Sequence, residues 1–284
     1  MSDAPDGPQK ALEPLDYLTR SEHRVQVLEA LTETIPKPGL DMPGYEPREL
    51  REMTGASEAT ISRILNEFDE RGWAERSAIG EYTATPVGQS IAVVIAPLLD
   101  SMEVIQHLGD AVSVLPFNEL TISMEHFHDA TVREPTGPQP RDFGAFLIEL
   151  LSDSSILYSL TYVPAPSGLA EEVTERITTG RLDSITIYPE HIIEFFVADL
   201  WKTTREQILA QLDAGAEWYI YDGHIASNIF ILDETVVIEN SQVNDVRAGT
   251  AIVTTDEVVR EWALEVFERY REDSTAFAVE DLPE

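Results

Sequence analysis

The chain has 284 residues, 43% of them hydrophobic, with 52 acidic residues against 19 basic ones, a formal net charge of -33 and no cysteine. That length and apolar content allow two modest cores, and the missing cysteines exclude thiol catalysis, structural disulfides and cysteine-held zinc. A protein so acidic is repelled by nucleic acid at low salt, so any DNA-binding function has to come from a locally exceptional surface.

The opening MSDAPDGPQK has neither a charged n-region nor an apolar h-region, and residues 1–11 are expected to be disordered. Residues 12–88 are expected to form the first domain, interrupted by the Pro/Gly-rich segment Pro36 to Pro47, whose role stays open. A short helix, Pro47 to Met53, is followed by the turn Thr54-Gly55-Ala56 and by the stretch SEATISRILNEFDERGW from Ser57 to Trp73. Ser57 can cap this second helix and Gly72 can end it in a left-handed conformation, which together predict a helix-turn-helix.

Ile61, Ile64, Leu65 and Phe68 fall at helical spacing and are expected to be buried, which turns Thr60, Arg63 and Asn66 elsewhere. Arg can fork onto guanine O6 and N7, Asn can pair with adenine, and Thr60 can touch either base or a thymine methyl, with Ser57 expected to enter the same groove. Glu58 and Glu67 flank this face and would repel phosphate unless they point away. An ordinary amphipathic helix with a solvated polar face is an equally good account of the helix taken alone. Residues Ala74 to Pro86 then predict two short strands around Ala78-Ile79-Gly80, a β-wing whose Arg76, Ser77 and Tyr82 could bind phosphate. Gly72-Trp73 followed by Glu81-Tyr82-Thr83-Ala84-Thr85-Pro86-Val87-Gly88 resembles the "GLV … YxLTPLG" signature of archaeal and bacterial winged-helix transcriptional regulators. The resemblance implies a winged helix-turn-helix that binds double-stranded DNA, with a departure at Thr83-Ala84, where leucine is more usual.

Charge is uneven along the chain. Residues 1–88 hold 9 basic and 17 acidic residues, and residues 89–284 hold 10 and 35. The first part thus holds nearly half the cations, and Arg20, Arg24, Arg48, Arg51, Arg63, Arg71 and Arg76 among them are arginine, the better residue for forked contacts. Only Lys10, Lys37 and Lys202 are lysines, and a carboxylate-rich, lysine-poor composition suits a haloarchaeal cytoplasm, where the Debye length shrinks to roughly 3 Å at 1 M salt. No apolar run is expected to span a membrane, so the protein is expected to be soluble and cytoplasmic.

From Pro86 to about Leu115, apolar residues recur at Ile91, Ile95, Leu98, Met102, Ile105 and Val112, a heptad seam with Pro97 as a potential kink. Residues 89–115 are therefore expected to be a linker helix that also pairs a homodimer, addressing two half-sites one DNA turn apart.

Residues 116–272 are expected to be a mixed α/β domain, with strands at Ser155 to Val163, Ser184 to Tyr188, Glu217 to Tyr221, Ile225 to Leu232, Thr235 to Glu239 and Thr250 to Thr254. Helices are expected at Asp142 to Leu151, Gly168 to Thr179, Glu190 to Ala198, Thr203 to Ala214 and Asp256 to Arg271, and residues 273–284 as an acidic frayed tail. Glu261 to Arg271, EWALEVFERYR, resembles the "AxxWAxxLFxxYR" terminal helix of archaeal regulators with a methanogenesis-regulatory middle domain, TrmB-like in architecture. That resemblance implies an effector-sensing α/β domain behind the winged helix. Core packing alone also accounts for Trp262, Val266 and Phe267.

Effector-pocket candidates are Tyr158, Tyr162, Tyr221, Asp222, His224, Ser227 and Asn228, whose aromatic and polar groups could stack on and hydrogen-bond a small molecule. A hairpin turn at Asp222-Gly223-His224 and packed tyrosines are the alternative account. Catalytic signatures are missing: no histidine is followed two residues on by lysine, and neither a nucleotide-binding glycine loop nor a G-x-S-x-G elbow occurs. No cofactor, metal or catalytic residue is expected. His126-Phe127-His128-Asp129 would place two imidazoles on one face if it were a strand, which keeps a metal-dependent hydrolase as a minor alternative. A protein-interaction adaptor built on an acidic winged helix is the other.

Overall fold

The computed structural model describes residues 8–32, 44–134, 141–193, 203–240 and 249–278, and the chain divides into two compact units, residues 1–100 and 101–284. Most of the Pro36 to Pro47 segment and the second half of the expected helix Glu190 to Ala198 lie outside the described residues.

The N-terminal unit contains α1 (Pro8–Thr19), α2 (Glu22–Thr32), α3 (Pro47–Thr54), α4 (Glu58–Glu70), the strands β1 (Ala74–Arg76) and β2 (Tyr82–Ala84), and the start of α5 (Pro86–Leu108). Residues 8–10 already belong to α1, so the expected disorder of residues 1–11 fails there: Pro8 occupies a first-turn position that suits a proline. Gly55, at φ +68°, ends α3, and Gly72, at φ +69°, follows α4. Both angles lie in the left-handed region that glycine enters without steric cost. Leu50, Ile61, Ile64, Leu65 and Phe68 form the floor of the core. Tyr17, Phe68 and Trp73 close it with tilted and edge-on rings at centroid separations of 5.5 to 6.3 Å.

The segment Thr85-Pro86-Val87-Gly88 fastens the wing to the helix pair. The Thr85 hydroxyl donates to the Gly72 carbonyl at 2.6 Å and accepts from the Gly88 amide at 3.2 Å, while the Thr85 amide donates to the Trp73 carbonyl at 2.9 Å. Gly88 permits this approach, since a Cβ there would stand 2.0 Å from the Trp73 carbonyl oxygen.

The C-terminal unit is built on one eight-stranded sheet in the order β10-β6-β5-β4-β7-β8-β9-β3. Its strands are β3 (Thr131–Arg133), β4 (Ile156–Leu160), β5 (Asp183–Pro189), β6 (Glu217–Tyr221), β7 (Asn228–Leu232), β8 (Thr235–Glu239), β9 (Ala251–Thr254) and β10 (Ser274–Ala276). β4, β5 and β6 run parallel, and every other pairing in the sheet is antiparallel. Its helices are α6 (Arg141–Leu151), α7 (Ser167–Thr178), α8 (Thr203–Asp213) and α9 (Glu257–Glu272). The mixed α/β expectation holds, and both faces of the sheet are covered. α9 lies on one face with the end of α5, through Val259, Trp262, Val266 and Phe267; α6, α7 and α8 lie on the other.

Glu119 explains the aromatic pattern of α9. Its carbonyl accepts the Trp262 indole N–H at 2.9 Å, and its carboxylate accepts the Tyr270 hydroxyl at 3.0 Å and pairs with Arg269. The frayed tail expected from Asp273 onward is corrected in part. Ser274–Ala276 pair with β6, and the Phe277 side chain is buried beside Trp218 because its amide donates to the Trp218 carbonyl at 2.8 Å.

Contrary to the sequence expectation, Pro86–Val114 is long and apolar enough to cross a membrane by length and composition. Ala92 and Ile95 pack into the N-terminal core, while Val104 and Leu108 pack into the C-terminal one.

Gly88→Ala should lower the stability of the N-terminal unit by about 1–3 kcal/mol, the usual cost of overpacking, instead of the gain expected for Gly to Ala inside a helix. Chemical denaturation followed by tryptophan fluorescence measures the sign.

Candidate nucleic-acid interface and ligand cavity

On α4 the buried residues Ile61, Ile64, Leu65 and Phe68 take one side, and Ala59, Ser62, Arg63 and Asn66 share the opposite, exposed side. Two of the expected base-reading residues are engaged locally. Ser57 caps the helix by accepting the Thr60 amide at 3.2 Å, and the half-buried Thr60 hydroxyl lies 2.9 Å from that of Ser57. Arg63 and Asn66 stand free at the centre of the face. Ser62 was not among the expected residues, although its spacing from Ala59 and Asn66 places it on the same side.

Glu67, a potential source of repulsion, is drawn inward. Its carboxylate accepts the Tyr17 hydroxyl and lies 3.4 Å from the Arg24 guanidinium, which itself covers the Tyr17 ring at 3.9 Å. Arg71 packs on the same ring at 3.9 Å and pairs with Glu13 at 2.7 Å. Arg20 is paired with Asp16 and Arg48 with Glu52. Among the described residues of this unit, Arg51, Arg63 and Arg76 are the arginines without a carboxylate partner, and all three are exposed.

In the wing, β1 and β2 pair antiparallel with Arg76 opposite Tyr82, and the Ser77 amide donates to the Glu81 carbonyl at 2.7 Å. The Ser77 hydroxyl accepts the Glu81 amide at 3.1 Å, so it serves the turn. Tyr82 departs from its expected role as a phosphate ligand. Its backbone pairs with Tyr45 through two bonds of 2.9 Å and its side chain belongs to the core, leaving the ring as a platform 5.7 Å beneath Arg76.

The C-terminal unit holds a cavity of about 570 Å³ between the sheet and α6, α7 and α8. None of the seven expected effector residues lines it. The reason is strand alternation: on β4, Leu157 and Ser159 face the cavity, whereas Tyr158 points to the other side and stacks on Phe267 at 5.3 Å. Tyr221 packs edge-on against Tyr270, and Tyr162 donates to the Asn240 amide oxygen at 2.7 Å. Asp222 and His224 are exposed, and the buried Ser227 hydroxyl donates to the Val114 carbonyl at 2.8 Å. Asn228 is wholly buried; it accepts from Thr161 and the Tyr162 amide, both at 2.9 Å, and donates to the buried Glu239 at 2.6 Å. These residues knit β4, β7 and β8 together.

His126 sits in a 3-10 turn, Met124–Phe127, not on a strand, and Phe127 fills the core. The two imidazoles therefore do not share a strand face, and among the described residues no group of three or more metal-ligating side chains is found.

Residues 12–107 match the family model of the HVO_A0261 N-terminal domain, and residues 140–273 match that of the middle domain of the methanogenesis regulatory protein FilR1. No curated protein matches the sequence. Among solved structures, TrmBL2, an archaeal chromatin protein, aligns over 95% of this chain and 100% of its own, with 13% identity and a TM-score of 0.41. NucT from Helicobacter pylori aligns over 52% of this chain and 99% of its own, with 15% identity and a TM-score of 0.38. A possible HxlR family transcriptional factor from Thermoplasma volcanium aligns over 36% and 87%, with 19% identity and a TM-score of 0.27. At these TM-scores the functional question rests on the residues themselves.

The Tyr17 phenol is pushed up to about 12, by burial first and then by its hydrogen bond to Glu67. A raised phenol pKa makes the protonated form contribute stability that is complete below the ordinary value of 10.0 and is lost as pH climbs toward about 12. The unfolding midpoint should therefore drop across that window, and drop less in Tyr17→Phe. Parallel pH profiles for the two proteins would refute the coupling.

Proposed function

With residues 12–107 belonging to the HVO_A0261 N-terminal domain family and residues 140–273 to the FilR1 middle-domain family, we propose that this chain is a sequence-specific DNA-binding transcriptional regulator. The observation that carries the reading is the outward face of α4, where Arg63 and Asn66 stand unpaired while the neighbouring Glu67 is bound inward by Tyr17 and Arg24. Arg63 supplies a fork for guanine, Asn66 a donor–acceptor pair for adenine, and Ser62 a small hydroxyl beside them. Arg51 and Arg76 bind phosphates and fix register. A cationic, polar face of this kind favours DNA over a docked protein. The acidic remainder of the surface fits work in molar salt in a haloarchaeal cytoplasm.

Residues 12–88 are the reading module, 89–115 the linker and 116–272 a sensor for a small-molecule effector. The protein acts as a homodimer through α5, where Val94, Leu98, Met102 and Ile105 are exposed by 37 to 68% on a helix whose only acidic residues are Asp100 and Glu103. A second copy of that seam covers this stripe and presents two reading helices to a two-fold operator.

Fluorescence anisotropy in molar KCl on the protein's own upstream DNA, beside a scrambled duplex, tests the reading. Arg63→Ala should lower affinity for the specific duplex by about 1–3 kcal/mol and so reduce selectivity, whereas Arg76→Ala should weaken both duplexes alike and flatten the salt dependence. Absence of selective binding at any salt would overturn the proposal in favour of an adaptor. Leu98→Glu with Met102→Glu should convert the dimer to monomer in sedimentation velocity, and a monomeric parent protein would dispose of the seam.

A further inference from the structure

The cavity of the C-terminal unit has an ordered floor. Phe230 of β7, Ser159 of β4, Thr186 of β5 and Trp218 of β6 are successive register partners, so four side chains form one row across the sheet. All four line the cavity, with an aromatic ring at each end and two hydroxyls between. Thr161, which also lines it, has its hydroxyl committed to Asn228 at 2.9 Å, and Gln211 donates to Thr174 at 2.8 Å. The Ser159 and Thr186 hydroxyls have no hydrogen-bond partner among the described residues, although the two residues are only 4% and 7% exposed. Their oxygens are not sealed in the core but open to the cavity, so this pair marks a place where a polar group from outside the chain can be hydrogen-bonded.

The roof, with Leu147, Leu169, Val173 and Ile208, is aliphatic. Among the described residues no lysine, arginine or histidine lines the cavity, and Glu171 is the one carboxylate that does. An anion would find no countercharge there, in a chain that carries -33. A sugar would leave most of its hydroxyls against aliphatic carbon. The volume, about 570 Å³, suits a compound of one or two fused rings.

We propose that this cavity binds an uncharged aromatic compound bearing one hydroxyl or amide group, held flat between Phe230 and Trp218 and hydrogen-bonded to Ser159 and Thr186. The site extends the sensor reading of the C-terminal unit and replaces the tyrosine-lined pocket expected from sequence.

The neutral dye N-phenyl-1-naphthylamine reports on the full-length protein by its rise in emission on entering an apolar site. Saturable binding at one dye per chain is expected, with displacement by 2-naphthol about five-fold better than by naphthalene, the worth of one hydrogen bond, and little displacement by anionic 2-naphthoate. In Ser159→Val with Thr186→Val, the dye and naphthalene should still bind while the advantage of 2-naphthol disappears. Trp218→Phe should reduce energy transfer from protein to bound dye. Unsaturable dye uptake, equal displacement by 2-naphthoate, or an unchanged 2-naphthol advantage in the valine variant would each overturn the site. DNA anisotropy run with and without saturating 2-naphthol separates the two readings: an unchanged DNA affinity removes the sensor role and leaves the cavity standing. Failed ligand binding with selective DNA binding intact removes the cavity alone.

Discussion

Positive charge is the scarce material of this protein. With 19 cations against 52 carboxylates, an arginine left to itself on the surface has many carboxylates to pair with, and the N-terminal unit shows where that happens. Arg20 and Arg48 are held by acids one helical turn away, at 2.6 and 3.1 Å, and Arg24 and Arg71 are drawn onto Tyr17. These pairs are worth little individually in solvent. Their effect is distributional: they neutralise the sides of the module and leave Arg51, Arg63 and Arg76 as the arginines without a carboxylate partner among its described residues. Tyr17 is the pivot, since one ring carries two guanidiniums and one hydroxyl turns Glu67 away from the outward face of α4.

The sheet of the C-terminal unit solves a different problem. Both of its faces are covered, so alternate residues of one strand serve two cores of different character. On β4, Tyr158 goes to the α9 side and stacks on Phe267, while its neighbour Ser159 goes to the α6–α8 side. The α9 side is filled by large rings and closed by Glu119, which ties Trp262, Arg269 and Tyr270 to one short segment. The α6–α8 side is left with a cavity whose floor carries hydroxyls, on strands paired on both sides.

What was legible from sequence was local. Ser57, Gly55 and Gly72 specify the helix-turn-helix by capping and left-handed turns that involve only near neighbours, and the wing follows from Gly80 between two three-residue strands. The inward turn of Glu67 was not legible, because its partners Tyr17 and Arg24 come from helices about fifty residues upstream. The cavity was invisible for the same reason in a stronger form: a row made of Phe230, Ser159, Thr186 and Trp218 depends on strand order and register, which no strand's own residues encode. The expected tyrosines misled because aromatic side chains mark a buried strand equally well on either face. Ser274–Ala276 was missed because a three-residue edge strand has too little alternation to register as one.

Molar salt, if it is the working medium that the composition suits, unites the two proposed sites. With a Debye length of roughly 3 Å at 1 M, neither site can recruit its ligand by long-range attraction, so both must depend on contacts made at hydrogen-bond distance. The α4 face meets that condition with an unpaired guanidinium and a carboxamide, groups whose forked geometry retains specificity when charge is screened. The cavity meets it by carrying almost no charge, since transfer of an uncharged ring from salt-rich water to an apolar wall becomes more favourable as salts such as sulfate or phosphate are added. A ligand site lined by arginines would lose affinity in the same medium and would draw on cations that the N-terminal module cannot spare. The neutral floor of Ser159 and Thr186 is thus the arrangement that a carboxylate-rich chain can build without undoing its own reading face.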